Sequence, residues 1–166
     1  DETTAAPNDP LFSAQWALKN TGQNQGTAGI DINYLPAREV TQGSSDIIVA
    51  VLDHGTQLDH PDLNVSSKSY DTETGRSPSQ IWGNHGTACS GIISAKTNNN
   101  LGVAGIAPNC PVMSISNQLM GTSDAPQKRA DGFNWAWRNG ASVISNSWRS
   151  STFSELLEGA IPVSYT

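Results

Sequence analysis

The chain has 166 residues, 14% of them charged against about 25% in ordinary soluble proteins, and 15 Asp/Glu against 9 Lys/Arg leave a net charge of -6. That balance argues against a nucleic-acid binder or a protein docked on anionic lipid. The longest aliphatic run, Ile47 to Leu52, falls far short of the roughly 18 residues a membrane span needs. An apolar content of 36% describes a globular domain, and two cysteines, Cys89 and Cys110, allow one bridge or two free thiols but no disulfide-rich scaffold.

Residues 1–10 read as a short arm carrying a Pro-Asn-Asp-Pro-type turn signal, and residues 11–166 as one domain. The opening DETTAAPND is acidic and polar, with no charged n-region and apolar h-region before it, so any secretory signal is expected to have been removed or to lie outside this sequence. Asn20 to Gly29 is a loop rich in Gly, Gln, Asn and Thr. Asp46 to Asp53 is a continuous apolar run of strand length, the pattern of a strand buried on both faces in a parallel sheet. A polar loop over residues 64–83 follows. His85 to Lys96 reads as a helix with Asn84 as its N-cap and with Ala88, Cys89, Ile92 and Ile93 as its apolar face. Val112 to Ser116 is the next strand. Gln127 to Asn139 is a helix with an Ala130, Phe133, Trp137 stripe and Gly140 as its stop. Val143 to Trp148 is a third strand, and Ser154 to Ile161 a last short helix. Strands alternating with helices predict an α/β fold, a doubly wound parallel sheet.

In such sheets ligands sit beyond the carboxyl ends of the strands. Asp53 closes the most apolar strand and is followed by Gly55. It reads equally as a functional carboxylate or as a loop cap. Its neighbour His54 points to the other face of the strand, and His60 precedes Pro61 in an extended loop. His85 starts a helix, where the dipole disfavours a positive imidazolium and a partner carboxylate would offset that.

Four segments in order carry a resemblance. VAVLDHGTQLDHPDL (Val49–Leu63), NHGTACSGIISA (Asn84–Ala95), NNNLGVAGIAP (Asn98–Pro108) and VISNSW (Val143–Trp148) together resemble the subtilisin-like serine proteases. The opening NDPLFSAQWALKNTG (Asn8–Gly22) is similar to the start of the catalytic domain in several branches. The resemblance implies Asp53 and His85 as the aspartate and histidine of a Ser-His-Asp triad hydrolysing polypeptide substrates. Ser147 and Trp148 would belong to the segment that pairs edge-on with the substrate backbone. The resemblance also implies a structural calcium ion, held by Asp9, Asp62, Asn99 and the carbonyls of Leu101 and Val103. It implies a secreted or cell-envelope protein.

The pattern is incomplete. Neither the family's GTSxAxP nucleophile motif nor its oxyanion-hole asparagine is found in order after VISNSW. The chain therefore reads as the N-terminal portion of a catalytic domain, inactive by itself and truncated before the last strands. Its expected partner is the missing C-terminal part. An exposed sheet edge would then favour a homodimer, and a non-catalytic peptide-binding or chain-pairing module is the alternative. Gly121-Thr122-Ser123-Asp124-Ala125-Pro126 is nearly the nucleophile motif, but one residue short and ahead of the VISNSW strand; it reads as a turn or helix start. Arg149 stands where the family has glycine, and reads equally as a cation favouring acidic substrate groups or as a solvent-facing charge. Cys89, four residues after His85, would place a thiol under the histidine ring, as in the family's thiol-containing branch. A metal site on Asp53, His54, Asp59, His60 and Asp62 is a further reading of the cluster.

Overall fold

The structure, a computed structural model, describes residues 5–150 and 153–163, the last two of these by backbone alone. Eight elements follow in chain order: α1 (Tyr34–Val40), β1 (Ile48–Asp53), β2 (Tyr70–Asp71), α2 (His85–Ser94), β3 (Val112–Ser116), α3 (Ala125–Arg138), β4 (Ala141–Ser145) and α4 (Glu155–Val163). The four strands form one sheet in the order β2-β3-β1-β4, all parallel. Val49 to Asp53 pair in register with Val112 to Ser116. The expected α/β fold with a parallel sheet is therefore present. No helix among the described residues is long and apolar enough to cross a membrane.

Alternation along β1 and β3 gives the two faces of the sheet different chemistry. Ala50, Leu52, Met113 and Ile115 point to one side, where they meet Ala130, Phe133 and Ala136 of α3 and Ala160 of α4. Val51, Asp53, Ser114 and Ser116 point to the other, towards α2. There the contacts are small and polar: the Ser114 hydroxyl accepts the Thr56 N–H at 2.9 Å, and the Thr56 and Ser90 hydroxyls share a hydrogen bond of 2.7 Å.

This second face overturns the expected packing of α2. The residues it buries are Gly86, Ser90, Gly91 and Ser94, not Ala88 and Ile92, and Ile92 is 56% exposed. The cause is distance. A Cβ on Gly86 would stand 2.4 Å from the Gly55 carbonyl oxygen, so only a helix with a small-residue face can approach the loop after β1 this closely. Asn84 occupies the cap position, but its side chain makes no capping bond; its carbonyl accepts the Ala88 N–H instead. On α3, Ala130 and Phe133 are buried as expected. Trp137 is largely exposed, and Arg129, Gly132 and Ala136 take the inward positions. Strand β4 ends at Ser145, so Asn146 to Trp148 lie beyond it.

Two elements were not expected. The short helix α1 carries Pro36 in its first turn, where the missing N–H costs nothing, and buries Tyr34 and Arg38 one turn apart. Tyr34 joins Phe12, Leu18 and Ala104 in a second apolar cluster, and its hydroxyl donates to the Gly105 carbonyl at 3.0 Å. Strand β2 is only two residues long and lies inside the stretch read as polar loop. Cys89 and Cys110 are unbridged.

Close approach is the testable element here. Gly86→Ala should destabilise the fold by about 1–3 kcal/mol, because a backbone oxygen has no rotamer by which to yield. Urea unfolding measures this; an unchanged midpoint would contradict the packing described.

Candidate active site

The end of β1 and the start of α2 are held together by the backbone before any side-chain chemistry is considered. Gly55 follows with φ of 92°, and a Cβ there would stand 1.9 Å from the Gln80 carbonyl oxygen. A glycine is required on both counts. Its absence of a side chain lets residues 80–82 lie across the strand end, where Trp82 N–H donates to the His54 carbonyl at 2.7 Å. Gln57 N–H donates to the Thr87 hydroxyl at 3.0 Å, pinning the first turn of α2 to the same loop.

Asp53 and His85 meet at that junction. The Asp53 side chain is 0% exposed, and His85 Nδ1 lies 2.8 Å from Oδ1 and 2.9 Å from Oδ2. Oδ1 also accepts the His54 backbone N–H at 2.7 Å. A carboxylate can only accept, so Nδ1 carries a proton, and in the neutral ring Nε2 is then the basic nitrogen. The imidazole itself is half exposed, with 52% of its side chain open. One face is turned to solvent on a buried anion: a base of fixed tautomer, accessible to a reacting group. The Cys89 thiol lies 3.8 Å from Nδ1 and 4.0 Å from Nε2, nearly equidistant and so beside the ring, as its spacing one turn on predicts. The His54 and His85 rings meet edge to face, with centroids 6.2 Å apart. Among the described residues no hydroxyl bonds to the His85 ring, whose partners are Asp53 and Cys89, and Ser123 lies in the exposed turn before α3.

One contributor escaped the sequence reading. Asp71 is fully buried and accepts from Trp82 Nε1 at 2.9 Å, the Ser116 hydroxyl at 2.7 Å, and Thr74 through its N–H at 3.0 Å and its hydroxyl at 2.8 Å. It braces Trp82, and through it the segment that delivers His85. Burial pushes its pKa up most strongly of any single cause, but the donors Trp82, Ser116 and Thr74 together outweigh that and hold it below 3.8. A lone aspartate in a polar loop offered no signal of this.

The other expected groups fall in two places. Ser147 is exposed. Trp148 is half buried, its indole N–H donating to the Leu52 carbonyl at 2.8 Å, one residue before Asp53. At the opposite end of α2, Asp9 and Asp62 are both buried, 3% exposed each. Asp9 accepts the N–H groups of Asn98 and Asn99 at 3.0 and 3.2 Å. Asp62 accepts from Asn99 Nδ2 at 2.8 Å and from the Val103 N–H at 3.2 Å. Gly102 has φ of 53° and a Cβ there would touch Asp62, so the loop closes directly on the carboxylate. Among the described residues no Lys, Arg or His pairs with either aspartate. The cluster Asp53, His54, Asp59, His60, Asp62 does not converge. The group that does, among the described residues, is Asp53, His85 and Cys89, with ligand atoms within 4.8 Å of one another. Asp59 instead accepts from Gln57, and His60 accepts the Asp62 N–H.

The chain is similar in sequence and fold to known proteins. The chain is 38% identical over 117 residues to human neuroendocrine convertase 2, covering 65% of this chain and 18% of that one. It is 36% identical over 149 residues to a calcium-dependent protease of Nostoc sp., covering 82% and 20%. The crystal structure of a serine protease of Aeromonas sobria superposes with a TM-score of 0.79 at 27% identity, covering 98% of this chain and 30% of that one. The chain thus spans about a fifth of the length of the two curated relatives.

Acid should loosen the Asp71 brace. Its pKa is depressed in the fold, so its stabilisation is present above the ordinary value of 3.8 and is lost as pH falls through the folded value. Asp71→Asn should cost about 1–3 kcal/mol at pH 7, since an amide sets donors against donors. In urea unfolding the gap between variant and parent should narrow below pH 3.8; a gap independent of pH would contradict this. With the family model for the subtilases matching residues 44–162, across the strand that carries Asp53 and the helix that carries His85, the chain belongs to the subtilase family.

Proposed function

We propose that this chain supplies the acid–base half of a serine endopeptidase that hydrolyses polypeptides. The observation that carries the reading is the buried Asp53 carboxylate receiving His85 Nδ1–H at 2.8 and 2.9 Å, with Nε2 left free. In this reading His85 takes the proton of a serine hydroxyl as that oxygen attacks the scissile carbonyl. It then returns the proton to the leaving amine as the tetrahedral intermediate collapses. Asp53 holds the tautomer and stabilises the imidazolium while it lasts. Ser147 and Trp148 pair with the substrate backbone. The nucleophile and the oxyanion donor come from outside residues 1–166, so this stretch alone does not turn over.

Asp9, Asp62 and Asn99, with the carbonyls of Leu101 and Val103, are the proposed calcium ligands. Two buried carboxylates without a cationic side chain, closed in by a glycine loop, are the hard-oxygen donor set that suits this ion. Its effect would be structural, tying the N-terminal arm to the loop after α2. Export to the cell envelope or the exterior is part of the same proposal.

A chain-pairing module is the second reading. It is favoured by the outer edge of β4, which carries no further strand among the described residues and leaves Val143 51% exposed. A second copy would dock there, edge to edge.

A fluorophosphonate probe separates the two. The intact protein should take up one equivalent, and residues 1–166 alone none. Asp53→Asn should lower kcat by about 10⁴ by releasing the tautomer. An intact protein that stays unlabelled would leave only the pairing module, which sedimentation would then show as a dimer. Calcium at about a hundred times its Kd should raise stability by about 2.7 kcal/mol in the parent and by much less in Asp62→Asn, read as a shift of the melting curve. Equal shifts in both would refute the assigned ligands.

A further inference from the structure

Arg129 is a buried cation without an ion-pair partner among the described residues. It lies on α3, 6% exposed. Its guanidinium carbon stands 4.8 Å from the centroid of the Trp148 ring, and Nη2 donates to the Met120 carbonyl at 3.2 Å. Nε is buried and has no acceptor among the described residues. No carboxylate among the described residues forms an ion pair with it. The nearby acids are taken. Glu73 accepts from Lys128 at 2.7 Å and from the Gln118 N–H at 2.9 Å, and Asp124 accepts from Lys128 at 2.9 Å. Those two carboxylates, Glu73 foremost, hold the Lys128 pKa up at about 12. Burial lowers that of Arg129, against the field of Glu73. Charged side chains are seldom buried unless paired, so this one lacks something. Arg38 has the same orphaned Nε, but it lies over Tyr34 in the N-terminal cluster, away from the strand ends.

The position of Arg129 says what is missing. Trp148, over whose ring the guanidinium lies, is anchored to the carbonyl of Leu52, the residue before Asp53. The fork of donors is therefore one ring away from the strand that leads to the Asp53–His85 pair. A guanidinium held over an aromatic face keeps N–H donors that the two oxygens of a carboxylate can match. The Met120 carbonyl that Nη2 meets opens the exposed stretch 120–124, and exposed Arg149, next to Trp148 in sequence, adds a second positive charge. We propose that Arg129 is a specificity determinant: it receives an acidic side chain, Asp or Glu, of the bound polypeptide. This rests on the reading of Ser147 and Trp148 as the substrate-pairing segment.

The test uses the intact protein and peptides in which Glu is exchanged for Gln at one position at a time. Binding is measured by calorimetry on the His85→Ala variant and kcat/KM on the parent. At one position Glu should be preferred at least about tenfold, the size of a charged hydrogen bond. Arg129→Met should bring that ratio to about one, and Arg149→Met should leave most of it. No preference at any position, or a preference that disappears with Arg149 and not with Arg129, overturns the proposal. NMR of the arginine side chains needs no substitution at Arg129. The Arg129 Nε–H resonance should move with the Glu peptide and not with its Gln counterpart, and a resonance unmoved by both overturns the proposal as well. The protease reading fails separately, through absent fluorophosphonate labelling, while peptide binding continues to report on Arg129.

Discussion

A carboxylate at the end of an apolar strand is the constraint from which the rest of this molecule follows. Asp53 is fully buried, so its charge must be met by donors brought to it: the backbone N–H of His54 and the ring of His85. The second donor arrives from far along the chain, on a helix that must come almost into backbone contact with the strand end. Glycine at 55 and 86 makes that approach sterically feasible, and the serine and threonine hydroxyls beneath α2 satisfy one another in the narrow gap that results. The polar character of that face of the sheet is thus a condition of the site, not a weakness of the core. The apolar work is done on the opposite face, by Leu52, Met113, Ile115 and Phe133.

That division explains what could be read from the residues alone. The run Ile48 to Asp53 and the glycine after it were legible because a buried parallel strand has one pattern and its carboxyl end one place for a ligand. The His85 partner was legible because the surrounding motifs are distinctive. The packing of α2 was not, since apolar periodicity assumes that the greasy face turns inward. Here Ile92 faces outward and Gly86, Ser90 and Ser94 turn in, because contact distance overrides hydrophobicity. Strand β2 escaped for another reason: two residues carry no period. Asp71 was hidden with it, and its role depends on Trp82 and Ser116, which come together only in the fold.

The sites on either side of α2 use carboxylates in opposite ways. Asp53 is matched to one ring and commits it to one tautomer. Asp9 and Asp62 are met by amide donors of a tight loop, which leaves their negative charge uncancelled. Arg129 is the converse case, a positive charge met by a carbonyl and an aromatic face. In each, the charge that the described residues leave unpaired is what the proposed ligand would meet.

The all-parallel sheet has a consequence in time as well as space. A hairpin lets a strand pair with the one just made, but β1 has no such neighbour: its partners are β3 and β4, and β2 too pairs with β3. As the chain leaves the ribosome, the most apolar strand must wait until residue 112 and beyond have been synthesised before its edges close. Ordering it means closing long loops first, which makes non-local pairing slow. During that interval Ile48 to Leu52 is an unpaired, sticky segment, and its protection falls to whatever can cover it in the meantime, whether a chaperone or a transient contact within the nascent chain.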